Sequence, residues 1–136
     1  EAVKYMLDTN ICIYAIKHKP ETVIKRFLAH NPDEMCISAI TYGELMHGVE
    51  KSQSTEKNRI ALALFLSPIT ILEFGAEAAE EYGRIRADLE KKGTPIGSMD
   101  LLIAAHAKAE RLIIVTNNTR EFKRVEGLPV EDWTLE

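Results

Sequence analysis

The stretch Met6-Leu7-Asp8-Thr9-Asn10-Ile11-Cys12-Ile13-Tyr14 carries a single carboxylate, Asp8, in largely hydrophobic surroundings. An unpaired carboxylate is costly to bury, so Asp8 either caps a helix or binds a ligand. A second acid, Asp100, also has apolar neighbours, within Gly97-Ser98-Met99-Asp100-Leu101-Leu102-Ile103. This repetition favours a ligand-binding role for both acids.

The composition is typical of a globular protein. The chain has 136 residues, of which 46% are hydrophobic and 28% charged, and this length predicts one domain spanning residues 1–136. It contains no apolar run long enough to cross a bilayer, so we expect no membrane association. The net charge of −4 does not by itself indicate a nucleic-acid-binding protein, although acids clustered at a metal site can mask a local basic patch.

The two cysteines, Cys12 and Cys36, each lie among apolar neighbours. We expect buried free thiols in a reducing cytosol. Their spacing is not that of a metal site, and a disulfide between them is the alternative.

Short aliphatic runs alternate with helical patterns along the chain. Strands are predicted over residues 3–7, 35–38, 69–74 and 112–116, with a weaker fifth strand over 130–133. Helices are predicted over residues 21–30, 40–51, 55–66 and 76–92, and a buried helix over 99–109. The pattern predicts an α/β fold, a parallel sheet of four to five strands flanked by helices on both faces. Ligands of such sheets bind beyond the carboxyl ends of the strands.

Four polar side chains fall just after predicted strands or at helix starts, at positions that gather along this edge of the sheet. They are Asp8, Glu44, Asp100 and Asn118. Three carboxylates brought together repel one another, and a hard divalent cation such as Mg²⁺ or Mn²⁺ removes that repulsion because it prefers oxygen ligands. The chemistry indicated is metal-assisted hydrolysis of a phosphodiester.

Each of these side chains also has a purely structural interpretation. Asp8 could cap a helix that begins near Asn10, and Asp100 could oppose the positive end of its helix. Thr41 and Glu44 have the spacing of a capping box. The segment Asn118-x-x-Glu121 has the same capping signature.

Several segments together resemble the motifs of PIN-domain nucleases, most closely the VapC toxins of bacterial type II toxin–antitoxin pairs. The segments are Met6-Leu7-Asp8-Thr9-Asn10, Ile40-Thr41-Tyr42-Gly43-Glu44-Leu45, Gly93-Thr94-Pro95-Ile96-Gly97-Ser98-Met99-Asp100, Val115-Thr116-Asn117-Asn118-Thr119-Arg120-Glu121-Phe122 and Glu131-Asp132-Trp133. The resemblance implies a Mg²⁺-dependent endoribonuclease with a Rossmann-like PIN fold. It also implies that Asp8, Glu44 and Asp100 are the metal-site acids, that Thr9 places a hydroxyl near the metal or phosphate, and that Thr116 supports the site.

One position departs from the family pattern. Many PIN domains carry a fourth acid where this chain has Asn118. An asparagine can still contact a metal or its water through the amide oxygen, and Glu121, one helical turn away, is the alternative fourth acid. Asn117 is expected to support the site through hydrogen bonds.

The resemblance further implies the biological setting. Such a toxin acts in the bacterial cytoplasm, forms a homodimer and is inhibited by a cognate VapB-type antitoxin whose tail covers the active-site groove. The expected substrate is structured RNA, in particular the anticodon loop of a tRNA such as initiator tRNA, cut to leave a 5′-phosphate and a 3′-hydroxyl. We expect Lys92 and Arg120 to contact phosphates. Four apolar residues are candidates for partner contacts or, alternatively, for the core: Tyr14, Phe27, Met46 and Leu62.

Two other functions fit parts of the sequence. A phosphatase of the haloacid-dehalogenase type also uses an Asp after its first strand, but it needs a second Asp where this chain has Asn10. A PIN scaffold without catalytic activity would bind RNA or protein only, and the intact set of three acids argues against it.

Overall fold

The structure contains one sheet of five parallel strands. This computed structural model describes residues 2–136; residue 1, the first of the range predicted as one domain, lies outside the described residues. The strands are β1 (Tyr5–Leu7), β2 (Met35–Ser38), β3 (Thr70–Leu72), β4 (Ile113–Val115) and β5 (Val130–Glu131). Their order across the sheet is β3-β2-β1-β4-β5. The helices are α1 (Thr9–Lys17), α2 (Glu21–Leu28), α3 (Ala39–Glu50), α4 (Thr55–Leu66), α5 (Ala76–Lys92), α6 (Ser98–Ala109) and α7 (Thr119–Phe122), with a 3₁₀ turn at Pro32–Glu34.

Helices cover both faces of the sheet, which confirms the predicted fold class. Successive strand residues point to opposite faces, so Met6 and Ile114 pack with α5 and α6 while Leu7 and Val115 pack with α1 and α3. All four side chains are fully buried. Burial on both faces explains why the strands are continuously apolar instead of alternating.

The predicted buried helix is α6, which begins one residue earlier than expected. Its buried residues are Leu101, Ile103, Ala104, Ala105, His106 and Ala107. The His106 Nδ1 atom lies 2.8 Å from the Ser38 hydroxyl, so this histidine is tied into the core. Burial is the largest cause of a lowered His106 pKa. The helix carries Asp100 in its first turn, at the carboxyl edge of the sheet.

Several predicted elements differ from the observed ones by one or two residues at an end, and side-chain hydrogen bonds explain two of these differences. The fifth strand stops at Glu131 because Asp132 accepts hydrogen bonds from Thr134 and turns the chain, after which Trp133 enters the core. The capping box at Thr41 is wrong: α3 begins at Ala39, where Ser38 accepts a hydrogen bond from the Ile40 N–H. Thr41 therefore lies inside the helix and is fully buried.

Of the four apolar residues named as candidates for partner contacts or for the core, one is buried in the core and three are partly buried. Leu62 is a member of the cluster on the α1–α4 face, and Tyr14, Phe27 and Met46 pack against that cluster. The cysteines Cys12 and Cys36 are buried free thiols, as expected. Among residues 2–136, no helix is long and apolar enough to cross a membrane.

Candidate active site at the carboxyl edge of the sheet

Asp8 occupies the junction between β1 and α1, and its side chain has both of the roles considered for it. The Oδ1 atom accepts a hydrogen bond of 2.9 Å from the Ile11 N–H, which caps α1. The Oδ2 atom accepts a short hydrogen bond from the Thr116 hydroxyl at the end of β4. Asp8 is only 4% exposed, so these two bonds fix the direction in which its carboxylate faces.

Thr116 connects two strand ends. It is fully buried, and its hydroxyl accepts a 2.9 Å hydrogen bond from the Asn118 N–H while donating to Asp8. The backbone of the loop after β4 therefore orients the carboxylate after β1 through one hydroxyl group. The structure places Thr116 as a support for Asp8.

Glu44 reaches the site from α3. Its Oε1 atom accepts a short hydrogen bond from the hydroxyl of Thr9, the first residue of α1. Because these residues are 35 positions apart, the bond ties α3 to the start of α1, beside Asp8. Thr9 thus contacts an acid directly.

Asp100 is held by the loop after β4. Its Oδ2 atom accepts a 2.8 Å hydrogen bond from the Asn118 side-chain amide. Asn118 precedes α7, but its side chain makes no capping hydrogen bond there, so the capping interpretation of this asparagine is wrong. Asn117 lies further away, where its amide donates to the Tyr14 hydroxyl over 3.2 Å.

The carboxylates affect one another electrostatically. The pKa of Asp8 is raised to about 6, chiefly by burial, while the charges of Asp100 and Glu44 add to the rise and hydrogen bonds oppose it. The pKa of Asp100 is also raised, again chiefly by burial, with contributions from Glu121 and Glu44. Acids from three elements thus come close enough to disfavour each other's ionisation.

The donor set fits a hard divalent cation. Asp8, Glu44 and Asp100 supply carboxylate oxygens, the ligands that Mg²⁺ and Mn²⁺ prefer. Among residues 2–136, no three His, Cys, Asp or Glu side chains already converge in the geometry of a bound metal. The hydrogen bonds to Asp8 and Asp100 use some lone pairs of each carboxylate and leave others free.

Glu121 has a contact that the sequence did not reveal. Its Oε1 atom accepts a 3.1 Å hydrogen bond from the N–H of Gly97, the residue before α6. That bond is the largest cause of the lowered Glu121 pKa. Glu121 therefore anchors the start of the helix that carries Asp100, and it also interacts with the Asp100 carboxyl group.

The Glu121 anchor can be tested by comparing two variants. Glu121→Ala removes the acceptor for Gly97 and should lower about tenfold the RNA cleavage that the family resemblance implies, the effect of losing one hydrogen bond that positions Asp100. Glu121→Gln keeps an acceptor oxygen and should retain most of the activity. Initial rates at saturating Mg²⁺ measure both. Wild-type activity in the alanine variant would show that the anchor is dispensable.

The residues proposed to contact phosphates are less distinctive. Lys92 forms a 3.0 Å ion pair with Asp88 one helical turn earlier, and exposed pairs of this kind contribute little. Arg120 is exposed within α7. Their role at phosphates stays a prediction.

A parallel sheet with buried and half-buried acids gathered beyond its carboxyl ends defines a nuclease-like α/β class of protein. Comparison with known proteins agrees, because the PIN domain model matches residues 5–128. A tRNA(fMet)-specific endonuclease VapC from Shigella flexneri is 52% identical over 132 residues, covering 97% of this chain and 99% of that protein. A tRNA(fMet)-specific endonuclease VapC from Salmonella typhimurium is 48% identical over 131 residues, covering 96% and 98%.

A solved structure shares the fold closely. The crystal structure of DNA-bound VapBC from Salmonella typhimurium matches with a TM-score of 0.90 and 48% sequence identity, covering 96% of this chain and 98% of that one. The chain therefore belongs to the PIN-domain family and, within it, to the VapC branch. The predicted resemblance is confirmed, and the haloacid-dehalogenase alternative is excluded.

Proposed function

We propose that this chain is a divalent-metal-dependent endoribonuclease that acts as the toxin of a bacterial toxin–antitoxin pair. The observation that carries the proposal is the gathering of Asp8, Glu44 and Asp100 at one sheet edge in a member of the VapC branch. The Shigella flexneri relative is named for tRNA(fMet), which supports initiator tRNA as the substrate, with the anticodon loop as the region to be cut.

The polar side chains at the site divide into those that would bind the metal and those that orient the metal-binding acids. Asp8, Glu44 and Asp100 would hold Mg²⁺ or Mn²⁺, which when bound neutralises phosphate charge and lowers the pKa of a water ligand. Thr116 and Thr9 orient Asp8 and Glu44 through their hydroxyls. The Asn118 amide does the same for Asp100. The products are a 5′-phosphate and a 3′-hydroxyl.

A VapB-type antitoxin is the proposed protein partner, and the bacterial cytoplasm, where tRNA is found, is the proposed location. Exposed apolar side chains on α2 and α4 support a protein partner, since Leu28 is 75% exposed and Leu64 71% exposed. They border a groove of about 470 Å³ that Phe27 and Phe65 also line. Apolar surface of this kind marks interaction sites. Homodimer formation is part of the same proposal.

The proposed activity makes a direct prediction. Purified protein incubated with total tRNA and Mg²⁺ should cut a small set of tRNAs at one position each, and EDTA should abolish the cutting because the three acids then lack their cation. Mapping the cut ends identifies the substrate and the chemistry together.

A non-catalytic PIN scaffold gives a different outcome in the same assay. It would bind RNA but leave every tRNA intact with Mg²⁺ or Mn²⁺. Cutting that continues in EDTA would contradict the metal-dependent reaction and point to contamination or a different mechanism.

A further inference from the structure

A pocket of about 300 Å³ opens beside Glu44, between α1, α3 and α4. Its walls are mainly aliphatic and include Ile13, Leu45, Val49 and Leu62. Glu44 is the one proposed metal-site acid that also lines the pocket. A group bound there would lie next to a phosphodiester held at the acidic site.

Two polar side chains at this pocket match a nucleotide better than an apolar peptide side chain. Lys17 is exposed and has no ion-pair partner among the described residues, so its ammonium group is available to a phosphate. Asn58 lines the same pocket with an amide that both donates and accepts hydrogen bonds. An apolar side chain would make no polar contact with either group, whereas a nucleotide has a phosphate for one and a polar base edge for the other.

We propose that this pocket binds one unstacked base of the RNA substrate, next to the phosphodiester that is cut. Aliphatic walls contact the flat faces of the base, Asn58 reads its polar edge and Lys17 contacts a neighbouring phosphate. Proteins that read RNA sequence bind bases exposed in loops in this way. The inference rests on the proposed function, because the RNA must reach the acids for its base to enter the pocket.

Substitution of Gly48 by a larger residue can fill part of the pocket. Gly48 lies on α3 among the lining residues, and a Cβ atom built there meets nothing within 4 Å. The Cβ atom of a leucine at this position therefore has room, and since Gly48 lines the pocket, the larger side chain should narrow it. Gly83 in α5 is the matched control, since it is also within a helix and also has nothing within 4 Å of a Cβ.

The experiment measures binding of a labelled anticodon stem–loop RNA in EDTA, where no cutting occurs. Intact RNA is compared with versions in which single loop nucleotides are abasic, using wild type, Gly48→Leu and Gly83→Leu. Wild type and Gly83→Leu should lose about tenfold in affinity at one abasic position. Gly48→Leu should lose about tenfold on intact RNA and nothing further at that abasic position.

Two outcomes would overturn the inference. One is a Gly48→Leu protein that binds intact RNA as tightly as wild type and, at each abasic position, loses as much affinity as wild type does. The other is a Gly48→Leu protein that has wild-type affinity for intact and abasic RNA but no longer binds the antitoxin. The pocket would then be a binding site for the protein partner. The proposed function fails separately, if wild type binds RNA with this base dependence yet never cuts it in Mg²⁺.

Discussion

Replacement of Asp8 by asparagine is expected to abolish RNA cleavage and, at the same time, to stabilise the metal-free protein at pH 7. Asparagine keeps the oxygen that caps α1 at Ile11, and its amide can donate to the Thr116 hydroxyl. It removes a negative charge that is disfavoured chiefly by burial and further by the neighbouring acids Asp100 and Glu44. Loss of a charge from the proposed metal site should lower cleavage by about a thousandfold, in line with the loss of a preorganised electrostatic group at other active sites.

The stability gain follows from the direction of the Asp8 pKa shift. The pKa is raised from 3.8 to about 6, so between these values the native state binds more protons than the unfolded state. The free energy of unfolding contributed by Asp8 is therefore greatest below pH 4 and is lost as the pH rises through 6, by about 3 kcal/mol in total. Asp8→Asn removes this loss and should flatten that part of the pH profile.

Denaturant unfolding in EDTA at pH 4, 5, 6 and 7 measures both effects. Asp33→Asn is the control, because Asp33 is an exposed aspartate away from the site and its replacement should leave the wild-type profile in place. The contrary result is an Asp8→Asn protein that is less stable than wild type at pH 7 and whose free energy of unfolding changes with pH as wild type does. It would show that ionisation of Asp8 does not destabilise the folded protein.

Trp133→Ala should produce the largest loss of stability. Trp133 is fully buried, stacks on His30 with ring centroids 4.9 Å apart and meets Tyr5 edge-on at 5.4 Å. Its indole N–H donates to Glu131 over 2.9 Å. Removing a buried tryptophan leaves a cavity, and the expected cost is about 3–5 kcal/mol in the free energy of unfolding.

Trp133→Phe is the matched control for this prediction. Phenylalanine keeps an aromatic ring in the cluster but loses the hydrogen bond to Glu131, so it should cost clearly less than alanine. Denaturant unfolding of the three proteins gives the comparison. A loss below about 1 kcal/mol for Trp133→Ala would show that the segment after β5 does not hold the sheet and α2 together.

The strand and helix order was predictable because each strand is a short aliphatic run and each helix has its own pattern. The predicted ends of helices and strands were wrong where a local side-chain hydrogen bond determines the observed end. Ser38 starts α3, although Thr41 and Glu44 have a capping signature. The fifth strand ends early because Asp132 forms a turn that no hydrophobic pattern reveals.

The position of the candidate site was also predictable, since the places of Asp8 and Asp100 follow from the topology of a parallel sheet. The hydrogen bonds within the site were not predictable, because they join residues far apart in the chain. Thr9 bonds to Glu44, and the Asn118 amide bonds to Asp100. Spacing within a motif carries no information about such contacts.

The most direct test of the account is a Mg²⁺ titration of RNA cleavage by wild type and Asp8→Asn, with a tRNA that carries the mapped cut. The account predicts that the wild-type rate rises from zero in EDTA to a plateau with Mg²⁺. The Asp8→Asn rate should stay about a thousandfold lower at every Mg²⁺ concentration while the protein remains folded. Equal rates for the two proteins, or a wild-type rate that does not depend on Mg²⁺, would contradict it.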